Sequence, residues 1–187
     1  MDYYSYHPTV FMEQPVCLAG FFGLELGVIA GIISQRTGIA VVELDRWVEH
    51  EAGKSVSEMV LFGGEKELRR REVPLLRRAL ADTPPPLIAL SDATLTEYDS
   101  RRMVLKGSKL IYLKASVEDL FGRIRYALEA SPGCYWPWTL QGPQQPADLE
   151  HLLEDRRGGY ESANVVIDVT GMHPNTIAER VLAEIEK

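Results

Sequence analysis

The sequence has little cysteine: Cys17 and Cys134 are the only two in 187 residues. They form no metal-ligand spacing and no disulfide framework, so a reducing compartment, the cytoplasm, is expected. Basic side chains are also fewer than acidic ones, 20 Lys and Arg against 27 Asp and Glu, which gives a net charge of −7. Because phosphate backbones require clustered Lys and Arg, this balance argues against nucleic acid as a partner.

Long hydrophobic runs are scarce as well. The exception, residues 16–33, is long enough to span a bilayer, but it contains four glycines and Glu25 near its middle. A carboxylate inside a membrane costs about 2.5–3.5 kcal/mol, so we expect a buried strand, a turn and a helix here and no membrane partner. Residues 1–14 lack the pattern of a signal peptide and are predicted to form an aromatic-rich extension before a single domain at 15–187.

Within that domain, short apolar runs alternate with longer segments of helical periodicity. Buried strands are predicted at 15–19, 40–44, 87–91, 109–114 and 165–169. Helices are predicted at 26–37, 45–52, 55–61, 65–81, 97–105, 117–129, 147–160 and 174–185. This alternation predicts a three-layer, doubly wound α/β fold with a parallel sheet. The irregular segment at about 130–147 is typical of a lid or a binding loop.

The polar motifs of the sequence follow the predicted strands, where ligands bind in open α/β sheets. They are GFFGLELG, ELD and SDATL after the first three strands, then GGEKELRRRE, EDRRGGYE and VIDVTGMHPNTIAERVL. In order and spacing, from about residue 15 to the C-terminus, this set resembles the shikimate kinases. The resemblance implies the P-loop kinase fold, with five parallel strands in the order 2-3-1-4-5. It also implies the phosphorylation of shikimate by ATP with Mg²⁺.

The substrate side of that resemblance is well preserved. The family has an Asp-x-Asp after its second strand, whose second acid contacts shikimate hydroxyls; Glu43 and Asp45 correspond to it here. The Gly-Glu-x-x-Phe-Arg motif corresponds to GEKELR and places Arg69 where the family binds the shikimate carboxylate. RRGGY places Arg156 at the second carboxylate-binding arginine. Guanidinium groups pair with carboxylates, so the resemblance implies a small hydroxylated carboxylate such as shikimate as the ligand.

Each of these residues also has an ordinary structural explanation. Arg69 lies in a run of three arginines, and such runs often form the solvated face of a helix. Arg156 could pair within its own helix with Glu150 or Glu154. Asp45 could cap the helix that follows it. The sequence leaves these alternatives open residue by residue.

The nucleotide side is degenerate. A phosphate loop has the pattern G-x-x-x-x-G-K-[S/T]; aligned on Gly20 and Gly23, this chain has Glu25 for glycine, Leu26 for lysine and Gly27 for serine. Leu26 carries no charge for the phosphates, Gly27 has no hydroxyl for Mg²⁺, and Glu25 adds a negative charge. Two like charges about 4 Å apart repel by about 1–4 kcal/mol. We predict no catalytic residue in this loop, no metal site, and no cofactor of the ATP–Mg²⁺ kind.

Two further family features are changed. The glycines that follow the third strand in the family, which approach both shikimate and the γ-phosphate, correspond to residues 91–93. The resemblance thus places Asp92 among the substrate-binding residues, with its negative charge in the region of phosphoryl transfer. The lid lacks the family's arginine and instead carries Tyr135, Trp136 and Trp138. Aromatic side chains there could stack on a ring, pack on a protein partner or pack locally.

Three hypotheses follow. The first is a shikimate-kinase-like pseudoenzyme that binds shikimate or a related hydroxylated carboxylate, or acts as a regulatory protein. The second is a divergent active shikimate kinase, and the third is a protein-interaction module that uses the aromatic N-terminus and lid. The first is favoured because the lysine, hydroxyl, glycines and lid arginine are missing together while Asp45, Arg69 and Arg156 stay in register.

Overall fold

The protein is built on one five-stranded sheet. The computed structural model describes residues 10–130 and 142–187. The strands are β1 (Val16–Gly20), β2 (Val41–Glu43), β3 (Leu87–Ala89), β4 (Lys109–Lys114) and β5 (Val165–Asp168). All pairings are parallel, and the strand order is β2-β3-β1-β4-β5. The predicted P-loop kinase fold with strand order 2-3-1-4-5 is therefore confirmed.

Helices pack on both faces of this sheet. They are α1 (Leu26–Thr37), α2 (Leu44–Ala52), α3 (Val56–Leu80), α4 (Tyr98–Gly107), α5 (Val117–Ala130), α6 (Ala147–Tyr160) and α7 (Pro174–Ile185). A short 3₁₀ helix, Thr94–Thr96, follows β3. Every residue of β1 is buried, as expected for a central strand covered on both faces, which is why that strand is a continuous apolar run.

The predicted boundaries hold to within a few residues. Helix α3 leaves helical geometry at Gly64, where φ is 72° and ψ is 167°, so the two helices predicted at 55–61 and 65–81 meet at a kink. Glycine adopts this backbone conformation without a steric penalty, which other residues would incur. The kink matters for the site, since it sets the direction of the helical segment that carries Arg69.

The long apolar run at residues 16–33 folds as β1, a turn and the first part of α1. Across residues 10–130 and 142–187, no helix has both the length and the apolar character that a membrane crossing requires. Glu25 lies in the turn between the two elements and is exposed, which accounts for a carboxylate in the middle of an apolar segment.

Helix α6 packs closely on the 3₁₀ helix through Gly159. A Cβ atom at this position would lie 2.8 Å from both the Cβ and the carbonyl oxygen of Leu95. Real Cβ atoms do not approach other heavy atoms so closely, and part of the obstacle is backbone that cannot turn aside. The absence of a side chain at Gly159 therefore brings α6 against the segment that follows β3.

Replacing Gly159 with alanine is expected to lower the free energy of unfolding by about 1–3 kcal/mol, the usual cost of overpacking a core. The neighbouring Gly158 is a matched control: it is exposed, and a Cβ there meets nothing within 4 Å. Gly158→Ala should be neutral or stabilising by up to about 1 kcal/mol, because alanine favours helix more than glycine does. Urea denaturation of both variants measures the difference; equal effects would contradict this account of the packing.

Candidate functional site

The loop between β1 and α1 has the backbone of a glycine-rich turn. Glu25 precedes α1 with φ 48° and ψ 54°, and its side chain makes no capping hydrogen bond. Within the part of the chain that the structure describes, it is the only non-glycine residue with positive φ. The left-handed conformation costs a residue with a Cβ about 1–2 kcal/mol. Glu25 therefore occupies a position that suits glycine; its correspondence to a phosphate-loop glycine stays a prediction.

The two leucines of this loop are turned inward. A Cβ on Gly20 would lie 2.9 Å from Leu24 Cδ1 and 3.1 Å from Leu26 Cδ2. Leu24 is 1% exposed and Leu26 is 9% exposed. Position 26 thus contributes to the apolar core and presents no charge at the loop.

Glu43 fills the space beside Gly27. A Cβ on Gly27 would collide with Glu43 Oε2 and Cδ, so any side chain at position 27 requires Glu43 to move. The Glu43 carboxylate also pairs with Arg46 across 3.0 Å. The residue aligned with the first family aspartate therefore lies directly against the phosphate-loop segment.

Asp45 lies in the first turn of α2 and points towards β3. Its Oδ1 accepts a hydrogen bond from the Ser91 hydroxyl. The helix begins after Glu43, which makes no side-chain cap, so the interpretation of Asp45 as a helix cap is wrong. Its carboxylate is reached by water but is surrounded by protein on most sides; this loss of hydration raises its pKa, and Ser91 and Arg69 oppose the rise.

Arg69 is buried, with 6% of its surface exposed. Its Nη1 donates a hydrogen bond to Oε2 of Glu72, which is itself fully buried. The alternative that the three arginines form the solvated face of a helix is therefore wrong for Arg69. It is right for Arg70 and Arg71, which are exposed and pair with Glu67 at 2.9 Å and 2.8 Å. Within residues 10–130 and 142–187, Arg69 Nε has no acceptor at hydrogen-bonding distance.

Arg156 is equally buried, and its partner comes from another element. Its Nε donates to Asp92 Oδ2 across 2.8 Å, and its Nη1 donates to the Leu152 carbonyl across 3.2 Å. The sequence left open a pairing of Arg156 with Glu150 or Glu154 of its own helix. Glu154 instead pairs with the neighbouring Arg157, at 2.6 Å. Burial raises the pKa of Asp92 to about 7, although the Arg156 and Arg69 charges act in the opposite direction.

Two residues that contact the predicted site residues, Glu72 and Tyr160, were not predicted from the sequence. Glu72 neutralises Arg69; its spacing of three residues along the same helix was a usable signal. Tyr160 is the tyrosine of RRGGY, and its hydroxyl lies 2.7 Å from the Asp92 carbonyl oxygen and 3.1 Å from that of Gly20. It ties the end of α6 to both the phosphate-loop segment and the segment after β3.

The predicted site residues are divided between two cavities. Arg69 and Arg156 line a pocket of about 860 Å³, together with Glu65, Thr96, Glu97 and Asp155 among others; we call it the arginine pocket. A cleft of about 280 Å³ is lined by residues of the loop, including Gly20, Gly23, Glu25, Leu26 and Gly27, and by Glu43, Asp45 and Asp92; we call it the loop cleft. The predicted lid residues Tyr135, Trp136 and Trp138 lie outside the described residues.

Comparison with known proteins decides the family. A model of shikimate kinases matches residues 28–186 of this chain. The chain belongs to the shikimate kinase family. Its similarity to shikimate kinase 2 of Salmonella schwarzengrund is 32% identity over 174 residues, which is 92% of each chain.

Solved shikimate kinase structures share the fold. The enzyme from Acinetobacter baumannii in complex with shikimate has a TM-score of 0.79 at 21% identity, covering 95% of this chain and 94% of its own. The enzyme from Aquifex aeolicus has a TM-score of 0.73 at 16% identity, covering 92% and 96%. The match to the shikimate kinase family model begins at Val28, directly after the GFFGLELG loop. The match to that model thus covers the motifs ELD, GEKELR and RRGGY but not residues 20–27.

Proposed function

We propose that this shikimate kinase family member binds a small hydroxylated carboxylate such as shikimate and does not transfer phosphate from ATP through its β1–α1 loop. The observation that carries the proposal is the arginine pocket, where Arg69 and Arg156 are both buried and face the same cavity. Arg69 Nε makes no hydrogen bond among the described residues, and the Glu65 carboxylate, which also lines the pocket, lies 3.8 Å from it. A buried guanidinium donor left in this state favours an anionic acceptor.

The hydroxyl groups of the ligand would be held by Asp45. Its carboxylate is accessible from the loop cleft, and it is close enough to Arg69 for the arginine charge to lower its pKa. An acidic acceptor beside two basic groups fits a molecule that carries hydroxyls at one end and a carboxylate at the other. The two cavities would then accommodate the two ends of one ligand.

The loop does not fit ATP and Mg²⁺ in the way that the family implies. Residues 20–27 contain no lysine, serine or threonine. Leu26 is packed inward, and the place of a hydroxyl at Gly27 is taken by the Glu43 carboxylate. Glu25, Glu43 and Asp92 all line the loop cleft, and their negative charges oppose a triphosphate. We therefore derive no transfer step through this loop.

A second candidate is an active shikimate kinase with a divergent loop. It is favoured by family membership and by the similarity to shikimate kinase 2 over 92% of the chain. It requires a cation from elsewhere, because no Lys or Arg of the described residues lines the loop cleft. Shikimate-dependent formation of ADP from ATP and Mg²⁺ distinguishes the candidates: the first predicts none, and the second predicts turnover.

Calorimetric titration with shikimate tests the proposed binding. We expect saturable binding, weakened about tenfold to a hundredfold by Arg69→Gln because a charge-assisted hydrogen bond is lost. Arg71→Gln is the matched control, since it removes the same charge from an exposed neighbour on the same helix that does not line the arginine pocket and should change the affinity little. Equal loss in the two variants, or no binding by the wild-type chain, would show that the arginine pocket does not hold this ligand.

A further inference from the structure

The Asp92–Arg156 ion pair lies where the two cavities approach each other. Arg156 lines the arginine pocket and Asp92 lines the loop cleft. Their side chains are 5% and 11% exposed, and the Nε–Oδ2 distance is 2.8 Å. One of the two arginines that would bind a ligand carboxylate thus already binds a carboxylate of the protein.

The structure holds this pair from several sides. The Tyr160 hydroxyl lies 2.7 Å from the Asp92 carbonyl oxygen, which fixes the backbone of Asp92 to the helix that carries Arg156. The Arg156 guanidinium lies 5.8 Å from the centre of the Phe21 ring, within range of a cation–π contact. Gly159 allows α6 to approach the segment after β3. Asp92 is therefore directed at Arg156 by packing, and the pairing is not a chance contact of two flexible surface chains.

From these contacts we infer that Asp92 is a specificity-determining residue, an internal carboxylate that competes with the carboxylate of the ligand for Arg156. The inference rests on the proposed function. A charged ligand has to displace Asp92 or share Arg156 with it, and two carboxylates at one guanidinium repel each other. Ligands without a carboxylate meet no such competition, so the same residue reduces the pocket's preference for acids over neutral hydroxylated molecules.

Competition of this kind depends on pH. Burial raises the pKa of Asp92 to about 7, whereas the carboxyl group of a small acid titrates near pH 4. Between about pH 6 and pH 8 the ligand stays charged while Asp92 ionises, so affinity should fall as pH rises through 7. The charged and titratable groups that face Asp92 are Arg156 and Tyr160 of α6, Arg69 of α3 and Asp45 of α2.

The test is calorimetric titration of wild-type protein and Asp92→Asn with shikimate and with its uncharged methyl ester. We expect the variant to bind shikimate at least about tenfold more tightly, and to bind the ester about as the wild type does. The wild-type affinity for shikimate should be several-fold higher at pH 6 than at pH 8, and the variant should lose most of this dependence. Because the Asp45 charge acts on Asp92, the affinity difference between the two proteins at one fixed pH is the primary measure of competition by Asp92.

A matched control removes a negative charge from the arginine pocket and leaves the Asp92–Arg156 ion pair intact. Asp155→Asn neutralises another carboxylate of the arginine pocket, one that lies 3.8 Å from His151 Nε2 on the solvent side of α6. It should raise shikimate affinity far less than Asp92→Asn. Equal gains in the two variants would attribute the effect to overall charge and overturn the inference.

The remaining outcomes separate this inference from the proposed function. Wild-type binding of shikimate that is unchanged or weakened in Asp92→Asn overturns the inference alone. Absence of binding in both proteins overturns both. If Asp92→Asn folds poorly, Asp92→Ser takes its place in the same titrations: a shikimate affinity no higher than that of the wild-type chain contradicts the competition.

Discussion

The triple variant Glu25→Gly/Leu26→Lys/Gly27→Ser is expected to bind ATP in the presence of Mg²⁺ about a hundredfold more tightly than the wild-type chain. Position 26 packs on the core but also lines the loop cleft, so a lysine there has to extend into the cleft, where charge-assisted hydrogen bonds to phosphate are worth about 1.5–3 kcal/mol. Removing Glu25 ends a repulsion of about 1–4 kcal/mol between like charges. The backbone of position 25, with φ 48° and ψ 54°, accepts glycine without rearrangement. Calorimetric titration with ATP and Mg²⁺ gives the affinity directly.

Glu43 is the obstacle to a complete restoration. Its Oε2 occupies the place where the new side chain at position 27 would begin. Adding Glu43→Asp to the triple variant shortens the side chain at position 43 and makes room for the new serine. It should increase the affinity for ATP further, and most strongly in the presence of Mg²⁺. A triple variant that gains nothing, with or without this fourth change, would show that the obstacle to nucleotide binding lies outside the loop.

Net charge has to be separated from loop chemistry. The triple variant makes the protein more positive by two charges, and Glu186→Lys does the same at an exposed residue after the end of α7. Since long-range attraction between exposed charges is screened by salt, this control should leave ATP binding near the wild-type level at physiological ionic strength. Equal gains in the two proteins would contradict a role for the loop residues themselves.

The fold could be predicted from the sequence because its signals are local. Each strand is a short apolar run, and β1 is apolar throughout because both of its faces are covered. The break at Gly64 was visible as a glycine pair between two helical periods. The family resemblance then supplied the strand order, which periodicity alone does not determine. Boundaries shifted by a residue or two, for example at β2 and α2, where strand and helix follow each other without a spacer.

The arrangement of the buried charges was less accessible. Arg69 and Glu72 are one helical turn apart, so their pairing had a local signal. Asp92 and Arg156 come from the segment after β3 and from α6, and they meet only because α6 packs against the 3₁₀ helix at Gly159. Sequence spacing contains no information on such a contact. The assignment of Asp45, Arg69 and Arg156 to a ligand site therefore stays a prediction, whereas the solvated helix face that the sequence left open for Arg69 is wrong.

The Arg69–Glu72 pair carries the largest expected effect on stability. Both residues are buried, Glu72 completely, and the arginine cannot lose its proton at any accessible pH. Glu72→Ala therefore leaves the buried charge of Arg69 without its buried partner, with the Glu65 carboxylate 3.8 Å away and 38% exposed. Removing one member of a buried pair costs about 3–5 kcal/mol of folding free energy. Urea denaturation followed by circular dichroism measures the loss.

Two comparisons show whether the loss comes from the unpaired charge. Glu67→Ala removes a glutamate from the same helix whose partners are exposed arginines, and exposed pairs contribute little, so its stability should stay close to wild type. In the double variant Arg69→Met/Glu72→Leu, both charges are replaced by apolar groups, and most of the stability lost in Glu72→Ala should return. A double variant as unstable as Glu72→Ala would mean that the pair stabilises the fold directly. Recovery would mean that Arg69 is kept at a cost in stability, which favours a role in ligand binding.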